Sequence, residues 1–156
     1  MAPPLTYETA FDYLLALGLH FSPIGRSELT FTGEASAEAK YPLLLIEADS
    51  QGSELIGEGQ RPTGQDSFTI AVQVLTQPGP AANTPHAMLA LTNTWADSLC
   101  EQLRLERPGQ LAGVNKLSLP GIAGTALAYG WRVELQLKVA KNIDRTANRD
   151  LFTPEV

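Results

Sequence analysis

The first part of the chain has the apolar spacing of an amphipathic helix. Apolar side chains recur three or four positions apart between Tyr7 and Leu15, and Thr6 precedes them as a polar cap. Gly18 follows this stripe and is a natural helix end, because glycine readily adopts the left-handed backbone of a C-terminal cap. The pattern therefore predicts a first helix over residues 6–17.

A second and longer helical pattern starts where Asn83 or Thr84 precedes Pro85, a polar cap followed by proline in the first turn. It continues to about Leu105 and stops before Pro108. Its apolar stripe has five members at helical spacing: Met88, Leu91, Trp95, Leu99 and Leu103. We expect this stripe to pack against a sheet.

Strand patterns occupy much of the remaining chain. Residues 131–139 alternate five apolar and four polar side chains, which predicts a half-buried strand with one face turned to solvent or to a partner. Residues 67–76 alternate in the same way. Residues 42–48 form a short apolar run that suits a strand buried on both faces, and residues 114–119 predict a further strand.

Three segments have weaker patterns. Residues 26–40 indicate only a short strand near Leu29 and Phe31. Residues 49–66 are rich in glycine and polar residues and predict a long loop or a hairpin, of the kind that reaches a neighbour in an oligomer. Residues 141–156 are polar and predict a mobile or partner-bound C-terminal tail.

Together these elements predict an α+β fold: an antiparallel or mixed β-sheet with two helices packed on one face. The apolar face of residues 131–139 and the stripe of the second helix would form the core. We expect residues 1–140 to make a single domain, with residues 141–156 as its tail.

Charge changes this picture because it is unevenly placed. The 156-residue chain has a formal net charge of −6. Residues 1–66 hold ten acids and three bases, net −7, whereas residues 67–156 hold seven acids and eight bases, net +1. The division indicates either acidic loops in the first half or two surfaces of unlike charge through which copies can meet. The acidic balance argues against a nucleic-acid binder, since phosphate contacts need a basic surface.

Few residues are available for catalysis or metal binding. The histidines are His20 and His86, and the one cysteine, Cys100, lies in the second predicted helix, where it suits a small core residue. These counts exclude a zinc finger, a disulfide framework and a CxxC redox site. The acids of residues 47–66 lack the spacing of an EF-hand, and no P-loop motif is present. We therefore predict no enzyme, with no catalytic, cofactor-binding or metal-binding residues.

Addressing signals are absent from the sequence. The residues before Thr6 have no basic stretch ahead of an apolar one, and no apolar run reaches about 18 residues. We expect a soluble protein made in a cytoplasm, with no membrane partner.

The order of the elements resembles that of the tail terminator proteins in the neck of tailed bacteriophages. Those proteins begin with an amphipathic helix and a strand that has a proline followed by apolar residues. A long loop, an alternating strand, a long helix and a closing strand pair follow. The corresponding segments here are Tyr7–Leu17, Tyr41–Glu47, 49–66, Phe68–Leu75, Pro85–Leu105, 114–119 and 127–139.

The resemblance implies a homo-oligomeric ring, a hexamer, that sits on the last ring of the tail tube, stops its growth and docks to the head connector. It also implies a place in the virion after assembly in the host cytoplasm. DNA would pass through the ring without specific binding, and there is no catalytic residue to carry over.

Ten residues are candidates for contacts within such a ring or with its neighbours. They lie in the 49–66 segment, on the polar face of the last strand and in the tail: Glu54, Glu58, Arg61, Arg132, Glu134, Gln136, Lys138, Lys141, Arg145 and Arg149. The polar strand face suits plain solvent exposure equally well. Two other hypotheses stay open. One is another head–tail adaptor or tail tube component, and the other is a small-ligand-binding domain or unrecognised enzyme with a pocket between the second helix and the sheet.

Overall fold

The computed structural model describes the residue ranges 3–56, 62–119, 121, 127–140 and 149–152, and only the backbone for 50–56 and 62–65. Within them the chain forms two helices and five strands. In chain order these are α1 (Tyr7–His20), β1 (Ser27–Thr30), β2 (Leu43–Ile56), β3 (Pro62–Thr76), α2 (Pro85–Glu106), β4 (Leu111–Leu119) and β5 (Tyr129–Ala140).

The five strands form one mixed sheet in the order β1-β2-β3-β5-β4. β1 runs parallel to β2, and the other three neighbouring pairs are antiparallel. Both helices pack on one face, where their apolar side chains meet those of β2, β3 and β5 in the main core. This confirms the predicted α+β fold with a mixed sheet and two helices on one face.

α1 begins where the sequence predicts but runs to His20. The Thr6 hydroxyl accepts from the Thr9 N–H at 3.2 Å, and the Thr9 hydroxyl accepts from the Thr6 N–H at 2.8 Å, which closes a capping box. The prediction that Gly18 ends the helix is wrong. Gly18 lies inside α1 against β2, where a Cβ would come within 2.8 Å of Leu44 Cδ2. This glycine therefore permits close approach of helix and sheet.

α2 matches its predicted span within one residue. Its cap is Thr84, whose hydroxyl accepts from the Ala87 N–H at 3.1 Å, and Pro85 occupies the first turn. Three of the five predicted stripe residues are buried, and Leu91 and Trp95 are half-buried. The buried residues of α2 are Met88, Thr92, Ala96, Leu99, Cys100 and Leu103.

The prediction of a long loop at residues 49–66 is wrong for most of that segment, which follows the hairpin alternative instead. β2 continues to Ile56 and β3 begins at Pro62, so the two strands pair over residues without an apolar alternation. Their register shifts between Ile46 and Ser50, where β2 holds extra residues. Residues 57–61 lie outside the described part of the chain.

β5 keeps the predicted alternation in full. Its side chains on the helix face are buried: Val133, Leu135, Leu137 and Val139. The polar side chains Arg132, Glu134, Gln136 and Lys138 alternate with them and face the other way. Trp131 is half-buried beside α2, and its indole N–H donates to the Leu89 carbonyl at 2.8 Å.

The face opposite the helices is covered at one end. Leu43, Leu45, Leu75 and Ala128 form a second buried cluster there. Ala35, Ala39 and Tyr41, from the connection between β1 and β2, pack against this cluster. That connection closes one end of the face and leaves the polar side chains of β5 on the uncovered remainder, called here the open face.

Among the described residues, neither helix has the length and apolar character needed to cross a membrane.

Candidate functional site

A polar network occupies the open face beside the connection between β1 and β2. Arg132 of β5 reaches over β3 to Glu47 of β2, with Nε 2.9 Å from Oε2 and Nη2 3.1 Å from Oε1. These two parallel hydrogen bonds make a bidentate ion pair. The third guanidinium nitrogen, Nη1, lies 3.3 Å from Oε2 of Glu134. One cation is therefore shared by two carboxylates.

The network continues to both neighbouring strands. On one side, Gln73 of β3 donates to Glu47 Oε2 at 3.2 Å and to the Gly33 carbonyl at 2.9 Å. On the other side, Asn115 of β4 donates to Glu134 Oε1 at 3.0 Å. Side chains of β2, β3, β5 and β4 are thus linked in a row across the sheet. Here the network means Glu47, Gln73, Asn115, Arg132 and Glu134.

The pKa values of Arg132 and Glu134 are both shifted away from neutral pH. Hydrogen bonding to Glu47 raises the pKa of Arg132, against the opposing effect of desolvation. The hydrogen bond from Asn115 lowers the pKa of Glu134, and Arg132 adds to the same effect. A proton donor or acceptor in catalysis works best with a pKa near the operating pH. Arg132 and Glu134 are instead both charged near neutral pH.

The structure places the candidate residues of β5 in two groups. Arg132 and Glu134 are tied into the network, which the sequence did not predict. Gln136 and Lys138 follow on the same face and are exposed. The Gln136 amide lies over β4, where a Cβ at Gly113 would come within 2.8 Å of Gln136 Oε1. Among the described polar side chains on the open face of β5, Gln136 and Lys138 are the two outside the network.

The other predicted contact residues are mostly beyond what the structure describes. Glu58, Arg61, Lys141 and Arg145 lie outside the described residues. Glu54 lies in β2, with its backbone alone described. Arg149 is exposed in the short described segment 149–152. Of these six residues only Arg149 has a described side chain, and the structure describes no contact between it and Arg132 or Glu134.

A groove that the sequence did not predict lies between α1 and α2, on the side away from the sheet. Its volume is about 810 Å³. At one end the Tyr13 hydroxyl donates to Glu106 Oε1 at 2.7 Å, and the Arg107 guanidinium lies 4.8 Å from the centre of the Tyr13 ring. Burial, together with Glu106, raises the pKa of Tyr13. His20 and Phe21 line the other part.

The predicted alternative pocket, between the second helix and the sheet, is too small for a ligand. The cavity there has a volume of about 20 Å³, close to that of one water molecule, and its lining is apolar. Cys100 borders it, and burial raises the pKa of its thiol, which keeps the thiol protonated. His86 is exposed at the start of α2 and His20 lies in the helix groove. Cys100 is thus a core residue, as its position in the helix indicated.

Metal-binding geometry is absent from the part of the chain that the structure describes, where no three His, Cys, Asp or Glu side chains cluster. Glu47, one of the acids considered for a cation site, is bound to Arg132 instead.

Comparisons with family models, curated proteins and solved structures found no match to this chain.

Proposed function

We propose that this protein is a structural component of a bacteriophage virion, a tail terminator. In this proposal copies of the chain form a ring, a hexamer, on the last ring of the tail tube. The ring stops growth of the tube and joins it to the head connector. The observation that carries the proposal is the element order α1, β1–β3, α2, β4–β5. The resemblance to tail terminators rests on this order, with a hairpin of β2 and β3 where the resemblance has a long loop.

The hairpin of β2 and β3 gives this proposal a more definite contact element than a loop would. Beyond Glu47, where pairing with β1 ends, β2 continues for nine residues to Ile56 with β3 as its one partner among the described strands. A paired arm is stiffer than a loop, so it costs less conformational entropy to hold against a neighbour. We assign the hairpin and residues 141–156 to contacts with adjacent copies or with the tube.

The open face is a second contact surface in the proposal. The network neutralises Arg132 with two carboxylates, so Gln136 and Lys138 are the polar side chains of β5 that are left to contact a subunit or the lumen. A lumen with few free cations would let DNA pass without specific binding, because phosphate binding depends on unpaired Lys and Arg.

The direct test is the mass of the purified full-length chain by light scattering and native mass spectrometry, with negative-stain electron microscopy of the same sample. We expect closed rings of one size. A monomer over a wide concentration range, in the presence as well as the absence of tail tubes, would contradict the proposal. A ring that binds along the tube or at the portal instead of the tube end would favour the alternative head–tail adaptor or tube component.

A genetic experiment tests the terminator role itself. In the phage that encodes the chain, a nonsense mutation should leave tails of uncontrolled length that do not join heads. Tails of normal length would contradict the role. Neighbouring genes for a portal, a major tail protein or a tape measure would agree with it.

The groove between α1 and α2 favours one second candidate, a small-ligand-binding domain. Its volume of about 810 Å³ falls in the usual range for ligand sites, and Tyr13, Glu106 and Arg107 supply polar groups at one end. Thermal-shift screening of the chain against metabolite mixtures tests this candidate. A hit that is lost in Tyr13→Phe but kept in Asn115→Ala, on the other side of the sheet, would support it.

A further inference from the structure

The groove between α1 and α2 has a charged end and a mainly apolar remainder. Glu106 and Arg107 stand at the charged end, beside Tyr13. Away from that end, both helices and the residues after α1 supply apolar walls, with a few polar side chains among them. The apolar lining residues are Ala16, Leu17, Phe21, Pro23 and Leu99. An occupant that matches this groove therefore carries charges next to apolar side chains.

The charges at that end have no ionic partner within one copy. Neither Glu106 nor Arg107 forms an ion pair with another described residue. Arg107 Nη1 donates to the Glu106 carbonyl at 3.2 Å, whereas its buried Nε has no hydrogen-bond partner in the described part of the chain. Buried polar groups normally have such a partner. Arg107 thus keeps a charge and hydrogen-bonding capacity that a single copy leaves unused.

The segment 149–152 has the complementary composition. Arg149 and Asp150 are exposed, and neither is in an ion pair with a described residue. Leu151 and Phe152 follow them directly and are 79% and 70% exposed. The Phe152 N–H donates to the Arg149 carbonyl at 3.3 Å, so the four residues form one turn. Large apolar side chains are often exposed singly, but an adjacent pair beside free charges is typical of a contact surface.

The segment does not fill the groove of its own copy. No residue of 149–152 lines the groove, and Leu151 and Phe152 stay exposed. The groove volume of about 810 Å³ is in the range that encloses a whole small ligand, so two side chains fit inside it. Nine residue steps separate Ala140, at the end of β5, from Arg149, and an extended chain covers up to about 30 Å over that number. The segment can therefore reach a neighbouring copy.

We propose that residues 149–152 of one copy dock in the groove between α1 and α2 of a second copy. Leu151 and Phe152 enter the apolar part, while Asp150 meets Arg107 and Arg149 meets Glu106. The apolar pair supplies most of the binding free energy, because aromatic side chains in pockets are the usual anchors of interfaces. The two charge pairs set the orientation.

This inference rests on the proposed function for its role in a ring. The segment and the groove are different surfaces of one molecule, so the contact between copies is heterologous. Such a contact repeats around an axis until the ring closes. The docking thereby names which part of residues 141–156 joins the subunits and what it binds.

A labelled peptide of residues 141–156 tests the docking directly by fluorescence anisotropy. The receptor is the full-length chain with Leu151→Ser and Phe152→Ser, whose own segment no longer competes. We expect saturable binding, with at least a tenfold loss of affinity when the receptor also carries Arg107→Asp. A peptide with Asp150→Arg should bind that second receptor more tightly than the natural peptide does, because the charges are complementary again. Absence of binding, or equal affinity for every combination, would overturn the docking.

Assembly of the full-length chain gives an independent test. Leu151→Ser with Phe152→Ser should weaken assembly at least tenfold and leave the thermal melt unchanged, since both side chains are exposed in one copy. The matched control is Phe31→Ser, at an aromatic residue that is 82% exposed in the connection between β1 and β2. The control should assemble normally. A ring that is unaffected by the first variant would overturn the docking and leave the proposed function in place.

Two further outcomes separate the docking from the other proposals. A chain that binds the peptide through the groove but forms no ring would contradict the proposed function and keep the contact between copies. A metabolite that binds the groove, with no binding of the peptide, would overturn the docking in favour of a small-ligand site.

Discussion

Arg132 and Glu47, 85 positions apart in the sequence, form a bidentate ion pair across β3. The Glu47 carboxylate is 13% exposed and the Arg132 side chain 34% exposed, so the pair is only partly shielded from water. The Gln73 amide, on the strand between them, donates a further hydrogen bond to the Glu47 carboxylate. The pair joins the β2 side of the sheet to the β5 side independently of the backbone ladder.

Arg132→Met should destabilise the fold by about 2 kcal/mol, because it leaves the Glu47 carboxylate without its cation; a fully buried pair would cost more. Arg132→Lys should recover part of the loss, since one ammonium cannot reproduce two parallel hydrogen bonds. Urea unfolding measures both effects. Glu134→Gln, at the more exposed end of the network, is the control and should cost well under half as much. Equal losses of unfolding free energy for Arg132→Met and Glu134→Gln would show that the bidentate contact with Glu47 is not the main source of the stabilisation.

Asn115→Ala should raise the pKa of Glu134, because the amide of Asn115 is the main cause of its lowered value. The folded pKa lies below the unfolded value, so the stabilisation is present above the unfolded pKa and is lost as pH falls through the folded one. The variant should therefore lose less stability than the natural chain on acidification. A carboxyl NMR titration measures the shift, with Gln136→Ala as a control that leaves it unchanged. An unaltered Glu134 pKa in Asn115→Ala would show that the hydrogen bond does not persist in solution.

The sequence predicts elements well where each residue's environment depends on neighbours along the chain. The alternation in β5 and the Thr84–Pro85 start of α2 are both local patterns, and both are confirmed. Gly18 was misjudged because its role depends on Leu44 of another element. For the 49–66 segment the sequence leaves a loop and a hairpin open, because it has no apolar alternation, and the pairing of β2 with β3 selects the hairpin.

The polar network could not be predicted for a related reason. Arg132 and Glu134 were identified as polar strand residues, but their partners depend on the order β2-β3-β5-β4 and on register, which one strand's pattern does not reveal. Gln73 also lies in a strand that alternates, and only the connection between β1 and β2 makes it a buried donor. The groove between the helices likewise depends on how α1 and α2 pack.

Leu135→Asp should unfold the domain. Leu135 is 3% exposed at the centre of β5, on the helix face, and the change would bury an unpaired charge in the main core. Gln136→Asp, the next residue on the open face, should keep the fold with a change below about 1 kcal/mol. Circular dichroism and thermal melts distinguish the two variants. A cooperatively folding Leu135→Asp would mean that the assignment of the two faces of β5 is wrong.

Gly18→Ala should destabilise the fold by about 1–3 kcal/mol although alanine favours helix, because the added methyl meets Leu44 Cδ2 and Cβ at 2.8 and 2.9 Å. In a Leu44→Ala background the same change should cost less, since the contact with Cδ2 is removed while Leu44 Cβ at 2.9 Å and Ser27 Cβ at 3.0 Å remain. This double-mutant cycle, measured by urea unfolding, should give a coupling above about 0.5 kcal/mol. Additive effects would indicate that the contact with Leu44 Cδ2 is not the source of the cost.

Removal of all residues after Lys141 should leave the domain folded and impair assembly. At the end of β5 the Ala140 N–H donates to the Leu5 carbonyl at 2.8 Å, and this truncation retains that hydrogen bond. Truncation after Leu137 is the matched control: it also removes Val139, which is 1% exposed, and should destabilise the fold itself. Thermal melts report on folding and mass measurement on assembly, in parallel on both variants. A chain cut after Lys141 that no longer folds would place residues 142–156 in the core, and one that assembles normally would exclude them from the subunit contacts. The expected combination, an intact melt with loss of the ring, assigns to these residues a role between copies.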